Sequence, residues 1–332
     1  MLNRDLLGSW VRRFLLEHLV ADRNLSRNTQ ISYRDTLTLF LPFVAKRVKI
    51  AIDRLSVADI APDHVRTFLK HLEDERHCSI ITRNQRLAAI RSLAYFIGAR
   101  APEHLAWCTE VRAIPFKKAA KRVIDYLDKP EMEALIQAPD QSTVLGRRDH
   151  AMLLFMYNSG ARADEVAGLY LRNLQLGTSP SVRILGKGNK WRVCPLWAMT
   201  AAALQPLVHG RGEAEHVFLG RTGKPITRFG VHRLVSGYAI QAGKKIESMN
   251  RKRIGPHTIR HTTAVHLLRA GVDINTIRAW LGHVSLDTTN IYAEVDLEMK
   301  ARALAKVDVS DLASQSSRPE KLPSLMAFMR GL

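Results

Sequence analysis

The sequence is short of cysteine and of acidic side chains, and it lacks any long apolar run. Its three cysteines, Cys78, Cys108 and Cys194, lie 30 and 86 residues apart. That spacing supports neither a disulfide framework nor a zinc site, and it suits a reducing compartment such as the cytoplasm. No stretch of roughly 18 apolar residues occurs, which argues against a membrane-spanning helix and a membrane partner. Arg4, Asp5, Arg12 and Arg13 interrupt the apolar residues near the start, so no signal peptide is expected there. Internal repeats and low-complexity tracts are also missing.

The acidic shortage is large: 31 Asp and Glu stand against 50 Lys and Arg, a net charge of +19. The excess divides almost evenly at Arg122, +10 before and +9 after. A single basic tail is thereby excluded, and two parts that each meet a polyanion are implied. At 332 residues and 46% hydrophobic composition, the chain can build two cores and is no disordered tail.

Residues 1–115 read as an all-α bundle. Leu6, Leu7, Trp10, Val11, Phe14, Leu15 and Leu19 recur at helical spacing. A second helix follows Ser26, its expected N-cap, with Ile31, Leu37, Phe40 and Leu41 inward and Tyr33 alongside. A third starts near Pro62 and buries Val65, Phe68, Leu69 and Leu72. A fourth spans about Thr82 to Ile97, with Leu87, Ile90, Leu93, Ala94 and Phe96 inward. Arg27, Arg34, Arg83, Arg86 and Arg91 are then candidates for DNA phosphate contacts, against the plainer reading of a solvated polar face. No cluster in this part can do bond chemistry.

The run PFKKAAKRV at 115–123 is a basic connector, which sets a linker at 116–123 and a second domain at 124–308. This second part reads as α+β. Asp128 caps a helix at Glu131–Ile136, and another helix runs from about Arg147 to Asn158 and ends at Ser159-Gly160. Arg162 opens a short helix. Strands are expected at Ser181–Leu185 and Trp191–Leu196, joined by a Gly-Lys-Gly-Asn turn that puts Lys187 near a hairpin tip. A further strand is expected at Val217–Leu219, and helices resume near Phe229. The tail at 309–332 is polar before SLMAFMRGL, a short apolar segment suited to packing on a neighbouring protomer.

Chemistry-capable side chains concentrate between Gly255 and Tyr292. His257 stands at a helix start with Arg260 three residues on, so both can face one anion, and the helix stops at Gly271. Asp273 caps a helix that Gly282 ends, His283 follows, and Ser285 caps a short helix carrying Tyr292. Metal-free phosphodiester cleavage needs donors for the non-bridging oxygens, a nucleophile, a base and a leaving-group acid. Arginine keeps its charge and matches phosphate with its planar fork. A tyrosine, with an ordinary pKa of about 10, can attack phosphorus in a strongly positive site. The His257 and His261 pair has the i, i+4 spacing of a zinc helix, but Thr-Ile-Arg between them carries no glutamate. Each residue alone has an ordinary explanation: a helix-end ion pair for Arg162, a solvated turn for Lys187, a half-buried ring for Tyr292.

The order Arg162, Lys187, His257, Arg260, His283, Tyr292, within SGARADEVAGL, LGKGNKWR, HTIRH, LGH and TTNIY, closely resembles the tyrosine recombinase (phage integrase) family. The first domain resembles that family's helical core-binding (SAM-like) domain more loosely, through LSRNTQISYRDTL and NQRLAAIRSL. The resemblance implies a site-specific DNA recombinase whose two domains close around double-stranded DNA, with no cofactor and no metal. Arg162 and Arg260 would bind the scissile phosphate, Lys187 would be the general acid, and His257 the base or proton shuttle. His283 would donate to phosphate, Tyr292 would form a 3′-phosphotyrosine, and Glu165 would orient the site. It also implies self-association, as a tetramer on two duplexes, with accessory DNA-bending or companion recombinase proteins as further partners. Type IB topoisomerase-like relaxation and a catalytically silent DNA-binding protein are the alternatives.

Overall fold

The computed structural model describes residues 6–119, 125–186 and 188–282. The chain divides after Arg122 into two compact units.

The first unit is all helical. Helix α1 (Leu7–Arg13) runs on as a π-helical segment (Phe14–Asp22), followed by α2 (Arg27–Val48), α3 (Pro62–Asp74), α4 (Ile80–Gly98) and α5 (Leu105–Ala113). Ser26 caps α2, its hydroxyl accepting from the Thr29 amide at 3.3 Å. Phe14, Phe40, Phe68 and Phe96 are buried in one core, the Phe40 and Phe68 rings 5.0 Å apart. At Gly98 an added Cβ would sit 2.6 Å from the Cys108 Cβ, so glycine sets the close approach of α4 and α5.

Four expectations are corrected in this unit. Ile31 is exposed, because the inward stripe of α2 runs through Thr36, Leu37, Phe40 and Val44; the Thr36 hydroxyl donates to the Ser32 carbonyl at 2.8 Å. The fourth helix starts at Ile80 behind a Ser79 cap, one half-turn early. Helix α5, nine residues beginning after Pro102–His104, is additional. Arg83 does not face solvent: it is 6% exposed, and its guanidinium donates to the Pro115 carbonyl at 2.9 Å and the Asn84 side chain at 3.0 Å.

The second unit is mostly helical around a small sheet. Its elements are α6 (Lys129–Ile136), α7 (Val144–Ser159), α8 (Ala163–Ala167), β1 (Leu174–Gln175), β2 (Ser181–Leu185), β3 (Trp191–Pro195), α9 (Ala198–Val208), α10 (Arg228–Gly243), α11 (Pro256–Arg269) and α12 (Ile274–Leu281). The strands form an antiparallel sheet in the order β1-β2-β3, with Val182 opposite Cys194 and Ile184 opposite Arg192. Helix α7 is apolar on every side from Ala151 to Met156 and is the centre of the core, packed against α9 and α11. The α+β class expected from the sequence is the class observed. Val217–Leu219 is not a strand; that stretch makes only an isolated bridge, Leu219 with Pro225, and the third strand is β1. Helices resume at α9, well before Phe229. The basic connector beyond Ala119, the expected Ser285 helix and the 309–332 tail lie outside the described residues.

Candidate active site

The ends of four helices, α7, α8, α11 and α12, and strand β3 build the site. Helix α7 stops at Ser159 because Gly160 takes a left-handed conformation, φ +61°. A Cβ at Gly160 would lie 2.4 Å from a Leu281 methyl carbon, so the turn also admits no larger residue. The chain leaves this turn extended and places Arg162 at the start of α8.

Arg162 is bound to Glu165 twice. Its backbone N–H donates to Glu165 Oε2 at 2.8 Å, and its Nη1 donates to Oε1 at 2.8 Å. Glu165 also receives both ends of a second guanidinium: Arg192 Nη1 donates to Oε1 at 3.0 Å and Nη2 to Oε2 at 2.6 Å. Desolvation pushes the carboxyl pKa up, but hydrogen bonds and charge from Arg192, with the Arg162 amide and charge, more than offset it, and the net direction is down. Glu165 is therefore a carboxylate held by four N–H groups and two positive charges.

Arg260 lies on the first turns of α11 and is buried. Its Nη1 donates to the Gly160 carbonyl at 2.7 Å and its Nη2 to the Leu281 carbonyl at 2.5 Å. Those carbonyls belong to the C-terminal ends of α7 and α12, where helix dipoles favour a cation. One guanidinium thus fastens three segments behind Arg162.

His257 sits one turn before Arg260 and lines a cleft of about 440 Å³ with Arg162, Arg228, His232 and Arg253. The residue as a whole is exposed. Lost hydration lowers its pKa, and the charges of Arg260, Arg162 and His232 lower it further. A neutral imidazole that can accept a proton near neutral pH results. Asp164 is the acidic residue at this cleft, 3.7 Å from Arg228. Phe229, beside Arg228, is 71% exposed.

Of the side chains singled out in the sequence, Arg162, Glu165, His257 and Arg260 come together here. Lys187, His283 and Tyr292 lie outside the described residues. The residues preceding two of them do not: a Cβ added at Gly186 would meet Arg192 Nη1 at 3.2 Å, and one at Gly282 would meet Arg192 Cδ at 3.2 Å. Between β3 and α12 a groove of about 690 Å³ is lined by Trp191, Arg192, Arg278, Trp280 and Gly282.

Arg192, Arg228, His232 and Arg253 escaped the sequence reading. For Arg192 a signal existed. In WRVCP the side chains alternate, Trp191 and Val193 outward, Arg192 and Cys194 inward. An arginine in an inward register position requires a buried anion, and Glu165 is the carboxylate that meets it.

Comparison with known proteins follows the same division of the chain. Residues 125–299 match the phage integrase family, and residues 12–100 match the phage integrase N-terminal SAM-like domain. A putative integrase/recombinase y4rC of Sinorhizobium fredii is 37% identical over 328 residues, 98% of either chain. The tyrosine recombinase XerC of Pelobacter propionicus is 32% identical over 314 residues, covering 94% of this chain and 98% of its own. Among solved structures, the Tn1549 transposon integrase in complex with transposon right end DNA superposes with a TM-score of 0.68 at 15% identity, covering 90% of this chain and 99% of that one. The XerH site-specific recombinase bound to a palindromic difH substrate does so at 0.67 and 21% identity, covering 86% and 81%. At such identities the two structures are likenesses of fold.

Proposed function

This chain belongs to the phage integrase family and is a tyrosine recombinase, a DNA-binding enzyme of site-specific recombination that cleaves and rejoins strands; from that premise we propose how its residues divide the work. Arg162 and Arg260 bind the scissile phosphate and neutralise the charge that gathers on its non-bridging oxygens. Tyr292 attacks phosphorus, and its proton passes to His257, whose lowered pKa keeps it neutral and able to accept. Lys187 protonates the departing 5′ oxygen, His283 donates to the phosphate, and Glu165 holds Arg162 in place. The bond energy is kept in a 3′-phosphotyrosine ester. A 5′-hydroxyl from a partner strand reverses the attack, so neither ATP nor a metal is required.

The observation that carries this reading is the meeting of Arg162 and His257 in one cationic cleft with Arg260 fastened behind them. Strand exchange between two duplexes calls for four protomers, so the enzyme assembles as a tetramer on double-stranded DNA, with accessory DNA-bending or companion recombinase proteins as further partners. It acts in the cytoplasm on DNA of a mobile element, in integration, excision or transposition; the putative integrase from Sinorhizobium fredii and the transposon integrase fold support that setting.

A nicked duplex in which the cut fragment diffuses away tests the nucleophile. Wild-type protein should accumulate a covalent adduct, whereas Tyr292→Phe should bind the same DNA with unchanged affinity and form none. An adduct that survives the substitution would sink the assignment.

A further inference from the structure

Glu165 poses an electrostatic difficulty for the proposed phosphate clamp. A carboxylate 2.8 Å from the Arg162 guanidinium competes with phosphate for that charge. An Arg162–Glu165 pair taken alone is neutral, and a DNA phosphate approaching it meets the carboxylate as well as the cation. The side chain of Arg162 is 27% exposed and that of Glu165 is 5% exposed, so the repulsion acts where water screens poorly.

The structure supplies a second cation. Arg192 is 8% exposed, and it grips both oxygens of Glu165 in a bidentate pair, with Nη2 at 2.6 Å. Its Nε is buried and, among the described residues, has no hydrogen-bond partner, while both of its Nη groups bond to Glu165. With Arg192 counted, the three-residue cluster carries one net positive charge, and its most accessible member is Arg162. Two glycines, Gly186 and Gly282, bring their backbones up to the Arg192 side chain and leave it little room to turn away.

We propose that Arg192 is a positioning residue for the cleavage reaction: it neutralises Glu165 from the buried side, so that Glu165 can orient Arg162 without cancelling its charge toward the scissile phosphate. Arg192 does not touch the phosphate. It lets one carboxylate fix the geometry of an arginine that must still bind an anion. This rests on the reading of Arg162 as a phosphate ligand.

The test compares single-turnover adduct formation by the full chain on two nicked duplexes, both taken from DNA in which wild-type cleavage has been mapped. One carries the normal scissile phosphodiester and the other a methylphosphonate at that position, which removes the charged non-bridging oxygen. Arg192→Met should slow cleavage of the phosphodiester by about a hundredfold. On the neutral methylphosphonate its deficit should shrink to less than about tenfold. Adding Glu165→Gln to Arg192→Met should restore at least about tenfold on the phosphodiester, because the uncompensated carboxylate is then gone.

Equal deficits on both substrates, with no recovery in the double variant, would overturn the inference and leave Arg192 a fold-stabilising residue. Should Arg192→Met fail to fold, the double variant is read directly. A rate within about tenfold of wild type supports the proposal, and an unfolded protein or a hundredfold loss overturns it. Arg162→Ala is the control for the reading beneath: if its deficit does not shrink on methylphosphonate, the phosphate clamp itself is wrong, whatever Arg192 does.

Discussion

Each unit of this protein shares one carboxylate between a buried arginine and a more exposed cation, and the two arrangements do different things. In the helical unit Glu73 lies 3.6 Å from Arg83 Nε and 2.7 Å from Lys117 Nζ. In the catalytic unit Glu165 lies between Arg192 and Arg162. Arg83 spends its short bonds on the Pro115 carbonyl and the Asn84 side chain, tying the segment after α5 back onto α4. Arg192 spends its own on the carboxylate, whose other contacts lead to the cleft. Burial of an arginine therefore does not mark a site. What marks it is where the partner's remaining lone pairs point.

Removing each carboxylate is the most direct way to break this comparison. Glu165→Leu leaves Arg192 buried without its counter-charge and should cost about 3–5 kcal/mol. Glu73→Leu leaves Arg83 its carbonyl partner and Lys117 in solvent, and should cost about 1 kcal/mol or less. Urea unfolding of the full chain, followed by probes in each unit, reads both values. Comparable costs would mean that the two clusters are the same kind of fastening.

Histidines sharpen the contrast at the next level of energy. His18 lies among the rings of the helical core, 5.1 Å from Phe96, and burial lowers its pKa. His261 follows His257 on α11, their rings 6.4 Å apart, and burial with the charges of His257 and Arg260 lowers its pKa to about 4. A histidine whose folded pKa is depressed takes up its proton more readily when unfolded. Stability is then undisturbed above pH of about 6.5 and falls as pH drops toward 4. The loss from His261 should be on the order of 3 kcal/mol over that window. His261→Gln should flatten the acid limb of catalytic-unit stability and leave that of the helical unit alone. A limb of unchanged slope would refute the assignment.

What the sequence disclosed and what it hid divide along physical lines. Ser26, Gly160, Asp273 and Gly282 were legible as caps and stops because a helix end is settled by a few neighbouring residues. Arg162 and His257 were legible because motif order fixed them. Arg83 and Arg192 were not. A helix wheel puts Arg83 near the polar edge of α4, and only the return of the chain at Pro115 buries it. The inward register of Arg192 could be read from alternation, but its partner lies 27 residues earlier on another element. Helix α9 escaped notice although it runs eleven residues, since Pro206 sits inside it and disguises the period. Val217–Leu219 looked like a strand because three apolar residues precede a turn, yet only an isolated bridge forms there.

The smallest effect concerns DNA affinity, and it separates cations by burial alone. Arg27 is exposed at the start of α2, and Arg34 is exposed two turns on, paired with Asp35 at 2.8 Å. Arg91 stacks on Phe116 at 4.7 Å, and Arg86 donates to the Thr36 hydroxyl at 3.0 Å. A phosphate contact releases counterions only if the cation reaches solvent, and each such contact adds about 0.9 to the slope of log affinity against log salt. Arg27→Gln should therefore lower that slope by about one, with a uniform loss across DNA sequences. Arg83→Gln should leave the slope where it is, although it weakens the helical unit. The two variants pull apart what composition joined, since both residues count equally toward the +19 charge. A lowered slope in Arg83→Gln, with the helical unit still folded, would put that guanidinium on DNA and erase the distinction between the two buried arginines.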